Sequence, residues 1–262
     1  MSARALGSLV LRPAARWLPG AVFVGGCLLA LELAVAAGRV SPTVAPAPSQ
    51  VAVRLAALIG SGEVVAPLRD TLSILAMGWI GASAAGVLLG LLMGYFRAVY
   101  VLLEPLVELI RPVPKPALIP PLMLLLGLGP ATQVAIVFLG AFFPVLINTV
   151  QGARGVDPVA VDVGRTFRVG TARILWRIVL PAALPMILSG MKVSLSLALV
   201  LVVLSEMLVG ASGLGAIIID LQRLFRVQDM YAWVAVLAAL GLALVLGFEW
   251  LERRIVFWQS SR

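Results

Sequence analysis

Long runs of apolar residues, each bounded by charged or turn-forming residues, dominate the pattern along this chain. A helix rises about 1.5 Å per residue, so about 20 apolar residues cross the hydrocarbon core of a bilayer. Five runs approach or exceed that length with at most two charged residues each, which predicts five transmembrane helices. These runs are residues 17–38, 71–96, 133–150, 183–208 and 230–248.

A further span, interrupted by proline, is predicted at residues 101–128. It opens as an amphipathic segment with Glu104 and Glu108, and five prolines and a lysine-containing turn follow Arg111. Proline removes a backbone donor, and broken backbone at membrane depth survives only inside protein or beside a watery cavity. We therefore expect an all-α polytopic membrane protein with about six transmembrane helices, the third of them broken.

Composition agrees with a lipid environment. Hydrophobic residues make up 61% of the chain and charged residues only 12%, whereas soluble domains carry about a quarter charged residues. Cys27 is the only cysteine and there is no histidine. A disulfide framework within one chain and imidazole acid–base chemistry are therefore excluded. We expect no metal site and no nucleic-acid partner.

The first apolar run allows two interpretations. Basic residues precede it and Ala34-Val35-Ala36 imitates a cleavage site, as in a signal peptide, but the run is long for one. We favour a retained helix. Residues 41–63 then predict an external linker with a short interfacial helix at 51–59. The resulting division is a helix and linker at 1–65, a transport domain at 66–257 and a tail at 258–262.

Basic residues are distributed unequally between the two sides of the predicted spans. Twelve arginines lie on the side that holds both termini and residues 152–181, against five on the other side. The excess of positive charge marks the cytoplasmic side of a membrane protein. Both termini and the 152–181 loop are therefore predicted to be cytoplasmic, in the cytoplasmic (inner) membrane of a bacterium.

Small residues recur every four positions in the second apolar run. Such a stripe lets two helices approach closely in lipid, either within one chain or between subunits. We expect helix packing along it. The stripe consists of Gly78, Ala82, Gly86, Gly90 and Gly94.

The loop at 152–181 predicts a short amphipathic helix. Asp157-Pro158 is a favourable start, with a capping carboxylate followed by proline at the first helical position. One face then carries Val159, Asp162, Val163 and Thr166, beside Arg165 and Arg168. Docking into a groove of a partner protein and lying on anionic lipid headgroups fit this pattern equally well.

Four charged residues lie within or near the predicted spans, namely Arg111, Lys115, Lys192 and Glu206. A charge in the hydrocarbon core costs about 2.5–3.5 kcal/mol on insertion scales, so such groups face a cavity or one another. They can line a translocation path or form structural pairs. Lys192 and Glu206 are about 21 Å apart on a straight helix and cannot pair along it.

Several segments together resemble the binding-protein-dependent permeases of ABC transporters, in particular the nitrate, sulfonate and taurine branch. The cytoplasmic loop is similar to the "EAA" signature of that family, with Asp162-Val163-Gly164 at its triplet and Leu180-Pro181 at its Leu-Pro. Arg168 stands where the signature has glycine. The likeness covers about residues 66–257 and includes four more segments: Arg111-Pro112-Val113-Pro114, Leu118-Ile119-Pro120, 140–149 and 206–215.

The resemblance implies a type I importer permease fold and a coupling loop that docks on an ATPase. Its residues here would be Asp157, Asp162, Val163, Gly164, Arg165, Thr166, Phe167, Arg168 and Gly170. The resemblance also implies a homodimer, two cytoplasmic ATP-binding subunits and an extracytoplasmic solute-binding protein.

The expected function is ATP-driven import of a small anionic or zwitterionic solute, such as nitrate, a sulfonate or taurine. Neither lysine lies in a phosphate-binding glycine-rich loop. We therefore expect no catalytic residues and no cofactor in this chain, with ATP and magnesium in the partner ATPase. An ion-coupled secondary carrier and a membrane-embedded enzyme are the alternatives.

Overall fold

A computed structural model describes residues 13–257 of the 262-residue chain. All regular elements within that range are helical. The residues Arg4 and Arg12 and the predicted tail at 258–262 lie outside it. The helices are α1 (Pro13–Ala36), α2 (Pro48–Ser61), α3 (Val65–Tyr95), α4 (Arg97–Ile110), α5 (Ile119–Leu126), α6 (Pro130–Arg154), α7 (Pro158–Thr166), α8 (Thr171–Ile174), α9 (Leu180–Val209), α10 (Leu214–Arg223) and α11 (Val227–Ile255).

Four continuous helical segments are long and apolar enough to cross a membrane, namely Val65–Tyr95, Pro130–Arg154, Thr171–Val209 and Val227–Ile255. A fifth span is formed if α4 and the helical segment after it count as one. The first predicted span falls in α1, whose apolar part, Val22–Ala36, is shorter. The all-α membrane class is confirmed, and six predicted spans correspond to four continuous spans, one broken pair and this shorter helix.

The polar loop expected at 152–181 is shorter than its sequence indicated. A continuous helical segment already begins at Thr171, where α8 passes through a π-helical turn, Leu175–Val179, into α9. The basic residues Arg173 and Arg177 therefore extend the fifth span as helix. Pro181 has no N–H to donate inside this continuous helix, and it comes directly after the π-helical turn, where the regular hydrogen-bond pattern is already interrupted.

The proline-rich segment bends the third span by 87°. After α4, the chain passes through a short 3-10 turn, Lys115–Leu118, into α5. The ammonium group of Lys115 donates to the carbonyls of Ile110, at 2.9 Å, and Arg111, at 3.3 Å. The carbonyl of Ile110 also accepts from the N–H of Val113 at 3.2 Å, but its usual donor four residues on is missing because Pro114 has no N–H. Lys115 therefore stabilises the end of α4.

Residues 63–220 and 236–257 form one compact unit. In this unit α6 packs against both α3 and α9, and α3 also contacts α9. The core at these contacts is apolar and tightly closed. Its members Ile136, Val137, Ala141, Ala198 and Val202 are fully inaccessible to solvent.

The glycine stripe of α3 faces α6 of the same chain. A Cβ atom on Gly90 would lie 2.5 Å from the Cβ of Thr149, and one on Gly86 would lie 3.0 Å from the Cβ of Val145. Gly94 comes equally close to Ala153. The missing side chains therefore let the two helices touch along several turns.

Residues 13–62 and 221–235 form the second compact unit, which contains several polar contacts between its segments. The carboxylate of Glu32 accepts from the backbone N–H of Ser49 at 3.0 Å and from its hydroxyl at 2.7 Å, at the start of α2. Arg54 of α2 forms an ion pair with Asp229, which also pairs with Arg226 at 2.6 Å. Glu32, the single charge of the first apolar run, therefore caps a helix.

The linker between the first two spans contains the helix that its sequence predicts. The expected segment, 51–59, lies inside α2. Pro48 occupies its first turn, where a missing N–H costs nothing. The helix ends at Gly62, whose φ of 75° is left-handed and whose N–H donates to the carbonyl of Ile59. Glycine adopts this conformation without steric cost.

We predict that Gly90→Ala destabilises the protein by about 1–3 kcal/mol, because the new methyl group overpacks the α3–α6 contact. Thermal unfolding of the detergent-solubilised protein, followed by tryptophan fluorescence, measures this effect. The matched control is Gly247→Ala in α11, where an added Cβ meets nothing within 4 Å. Equal stability of the two variants would contradict the role given to the stripe.

Candidate functional site

The helix α7 begins where the sequence predicts. The carboxylate of Asp157 accepts from the backbone N–H of Val159 at 2.9 Å, and Pro158 is the first helical residue. This is a capping arrangement that satisfies one of the free donors at a helix start. The predicted start of this helix is confirmed.

The end of α7 is closed by two backbone hydrogen bonds. The N–H of Arg168 donates to the carbonyl of Arg165 at 2.9 Å, and the N–H of Val169 donates to that of Gly164 at 3.0 Å. Arg168 has a φ of 53°, which is left-handed. Glycine usually occupies this position of the helix end, because a Cβ atom there is strained. The position where the family signature has glycine is therefore one whose backbone conformation favours glycine.

One side of α7 is fixed to the helix that follows it. Gly164 is buried, and a Cβ atom on it would lie 3.0 Å from the terminal methyl of Ile178 and 3.3 Å from Ile174. Gly170 precedes α8, and its carbonyl accepts from the N–H groups of Arg173 and Ile174. The loop is therefore held against the start of the fifth span.

The opposite side of α7 exposes a row of apolar side chains. Val159, Val163 and Phe167 follow one another at intervals of four residues, and 66%, 50% and 77% of their surfaces are accessible. Residues four apart lie on the same face of a helix. The sequence placed two of these residues on one face, and the structure adds Phe167 to form a continuous row.

Polar groups flank this row. Arg165 forms an ion pair with Asp162 at 3.2 Å, and the hydroxyl of Thr166 donates to the carbonyl of Asp162 at 2.9 Å. A hydrogen bond with Tyr95, followed by the nearby Asp162 carboxylate, raises the pKa of Arg165 above its ordinary value. The guanidinium group therefore keeps its charge throughout the physiological pH range.

The charges predicted at membrane depth have separate partners in the broken span. Arg111 forms an ion pair with Glu108, one turn earlier, at 3.1 Å, and about half of each side chain is exposed. Lys115 lies 4.5 Å from the centre of the Phe143 ring, in addition to its two carbonyl contacts. A cation over an aromatic face is attracted by the ring. Both groups therefore have local stabilising contacts.

Lys192 forms an ion pair with Glu249 of α11 at 2.6 Å. About a third of each of these two side chains remains accessible. Helix geometry excluded Glu206 as the partner of Lys192 along one helix. The structure supplies a carboxylate from a different helix, 57 positions away along the chain.

Glu206 is almost fully buried, with 1% of its surface accessible. Its carboxylate accepts from the backbone N–H of Gly215 at 2.8 Å, in the first turn of α10. The neighbouring N–H of Leu214 donates to the hydroxyl of Thr71 at 2.9 Å. Gly213 lies against the same carboxylate with a φ of 101°. Glu206 therefore caps α10, a role that sequence reasoning missed although Gly213 and Gly215 lie close to it in the sequence.

The four membrane charges do not converge on one cavity. Each has a different neighbour among the described residues, and Glu206 is enclosed by the turn before α10. Within the described residues no cluster of three or more acidic, cysteine or histidine side chains is placed to hold a metal ion. The arrangement defines a helical membrane protein whose surface helix α7 packs against the start of the fifth span.

The chain belongs to the family of binding-protein-dependent transport system inner membrane components, whose profile matches residues 86–257. A Bacillus subtilis relative named as a permease for aliphatic sulfonates transport, SsuC, is 30% identical over 94% of this chain and 89% of its own. The taurine transport permease TauC of Escherichia coli is 28% identical over 85% of this chain and 82% of its own. The bicarbonate transport permease CmpB of Synechococcus elongatus is 29% identical over 71% and 67%.

Solved structures support the same fold. The inward-facing MetNI methionine ABC transporter matches with a TM-score of 0.63, covering 74% of this chain and 98% of that one at 17% identity. An amino acid ABC transporter matches with a TM-score of 0.58, covering 76% of this chain and 94% of that one at 16% identity. The chain is a permease subunit of an ABC importer with the type I fold, as its sequence predicted. This assignment replaces the carrier and enzyme alternatives.

We predict that Arg168→Gly stabilises the protein by about 0.5–1 kcal/mol, because glycine adopts the left-handed conformation without the Cβ clash. Thermal unfolding of the purified protein gives the measurement. Arg168→Ala removes the same charge and keeps the strained Cβ, so it should show no such gain. A gain of equal size in both variants would attribute the effect to charge.

We predict that Glu206→Leu destabilises the protein by about 1–3 kcal/mol, because the N–H of Gly215 loses its acceptor in the interior. Glu206→Gln retains an oxygen at nearly the same place and should be affected much less. Unfolding temperatures of the two variants in the same detergent test this. Equal losses of stability in the two variants would show that the negative charge of Glu206, and not its capping of α10, stabilises the protein.

Proposed function

We propose that this subunit imports a small anionic or zwitterionic solute, of the sulfonate or taurine kind, and that α7 couples it to an ATPase. The observation that carries this proposal is the exposed row Val159, Val163 and Phe167 on a helix fixed by Gly164. An amphipathic helix with apolar residues at such intervals is a form that partner grooves recognise. Because α7 packs against the start of the fifth span, a force on α7 can reach that span.

The row also favours protein docking over a purely lipid-facing role. Phe167 directly follows α7, in the loop between two predicted spans, and it is the most exposed of the three. Aromatic side chains contribute strongly to interfaces when they fill a pocket of the partner. We therefore assign Phe167 as the anchor of the contact with the ATPase.

The complete transporter is proposed to contain two copies of this chain, two cytoplasmic ATP-binding subunits and an extracytoplasmic solute-binding protein. Four or five spans per chain are few for a sheltered path. The family itself is binding-protein-dependent. ATP and magnesium would be held by the ATP-binding subunits, since this chain has no glycine-rich phosphate loop with lysine.

The orientation follows from the arginine distribution. Five arginines lie between Arg154 and Arg177, around α7, and positive charge marks the cytoplasmic side. We propose that this region and both termini face the cytoplasm of a bacterium, in its inner membrane. Residues 66–257 would then form the transport domain, preceded by an additional helix and an external linker.

The solute class rests on chemistry as well as on relatives. The relatives are named for sulfonates, taurine and bicarbonate, all of which carry a negative charge. Arg111, Lys115 and Lys192 would attract such solutes along the path, and partial exposure of Arg111 and Lys192 supports this. Glu206 would act indirectly, by holding the turn before α10.

We predict that the double variant Val163→Ala/Phe167→Ala weakens ATPase association about tenfold or more, because it removes the apolar anchors of α7. Tagged protein purified from its native membranes gives the measurement, as co-purifying ATP hydrolysis per permease and as solute uptake. The matched control is Phe225→Ala, which removes an exposed phenylalanine, 87% accessible against 77% for Phe167, outside α7. Full ATPase recovery with the double variant would refute the docking role of α7.

A further inference from the structure

Two adjoining cavities lie beside α7, at the ends of α3 and α6. One has a volume of about 310 Å³ and the other about 280 Å³. Both are bounded by Gly94, Tyr95 and Arg154, so they share one wall. We name the pair the arginine cleft. Its further lining residues come from α4, at Arg97 and Tyr100, and from α7, at Asp162 and Arg165.

The charge of the arginine cleft is strongly positive. Arg97 and Arg154 line the first cavity, and Arg154 and Arg165 line the second. Asp162 is the one carboxylate among the lining residues, and it is paired with Arg165. Among the described residues neither Arg97 nor Arg154 forms an ion pair, and both side chains are exposed.

An aromatic contact orients one of these arginines. The guanidinium group of Arg154 lies 4.1 Å from the centre of the Tyr100 ring. A cation over an aromatic ring is attracted by it, and the guanidinium group has five N–H donors with which to bind an anion as well. The hydroxyl of Tyr100 is itself held by Glu104 at 2.5 Å. Tyr95 and Arg165 both line the second cavity.

The position of the arginine cleft at the ends of two spans indicates which kind of ligand it can bind. Tyr95 and Arg154 are the last residues of two membrane spans, so the cleft lies at the level of the bilayer surface, where lipid phosphates are found. Arginine matches phosphate oxygens with two parallel hydrogen bonds. Basic pockets between transmembrane helices bind phosphate-containing headgroups for this reason.

We propose that the arginine cleft binds a phosphate group, supplied by an anionic phospholipid headgroup or by free phosphate. The group would bridge Arg97 and Arg154 at the ends of the spans to Arg165 on α7. A bound phosphate would hold α7 against the transmembrane helices and so tune its coupling. The effect on coupling rests on the proposed docking role of α7, whereas the binding itself does not.

A general attraction of arginines to the membrane surface is the competing explanation. The chain provides a matched test, because Arg173 and Arg177 are exposed arginines near the start of the fifth span and line neither cavity. If charge alone mattered, removing either pair of arginines would have the same effect. If the cleft is a site, only the pair that lines it is required.

The experiment compares Arg97→Gln/Arg154→Gln with Arg173→Gln/Arg177→Gln in the purified full chain. Native mass spectrometry counts retained lipid after titration with phosphatidylglycerol or phosphatidylcholine, and a separate arm titrates inorganic phosphate. We expect the first pair to weaken phosphatidylglycerol binding about tenfold or more, since each arginine near the surface contributes to the attraction. The second pair should change it less than about twofold.

Each outcome has a defined meaning. Retention of phosphatidylglycerol that inorganic phosphate does not displace identifies a lipid headgroup as the ligand, whereas saturable binding of inorganic phosphate that requires Arg97 and Arg154 identifies free phosphate. Equal losses in the two arginine pairs, or no preference for phosphatidylglycerol and no phosphate binding, overturn the proposal. If the Arg97→Gln/Arg154→Gln variant does not fold, the single variant Arg97→Gln replaces it, because Arg154 then keeps its contact with the Tyr100 ring. Neither ATPase nor solute enters the assay.

Discussion

The close approach of α3 to α6 is the contact on which the rest of this subunit depends. Lipid tails are as apolar as the side chains, so helices in a membrane associate through van der Waals packing and not through exclusion of water. Gly86, Gly90 and Gly94 remove the side chains that would separate the two backbones. With α6 fixed on one side, α9 packs on the other. The cleft and the seat of α7 then lie where these helices end.

The helix α7 shows how a short segment becomes rigid without a core of its own. Asp157 satisfies its first turn, two backbone bonds close its last turn at Arg168, and Gly164 presses it onto the following span. Nine residues would be a marginal helix alone in water. Because all three constraints act on the same few residues, the apolar side of α7 is presented in a fixed direction.

Charges inside the membrane region are stabilised individually. Lys115 closes a helix end, Lys192 pairs with Glu249, and Glu206 caps α10. An isolated charge at this depth would cost several kcal/mol, so each needs a nearby opposite charge or dipole. A charge that has such a partner and is still partly accessible, as Lys192 is, can also interact with a passing solute.

The sequence by itself determined the spans, the start of α7 and the glycine stripe, because these depend on local periods and on residues adjacent in the chain. The break at Pro112 and Pro114 was evident in the same way, since proline acts on its own backbone. Tertiary structure alone decided that Glu249 is the partner of Lys192, and that Glu206 caps α10. It also decided that the third span bends by 87°, and that Arg97, Arg154 and Arg165 lie around one cleft. These features join residues from different helices, and no short-range pattern records how helices are rotated and stacked against one another.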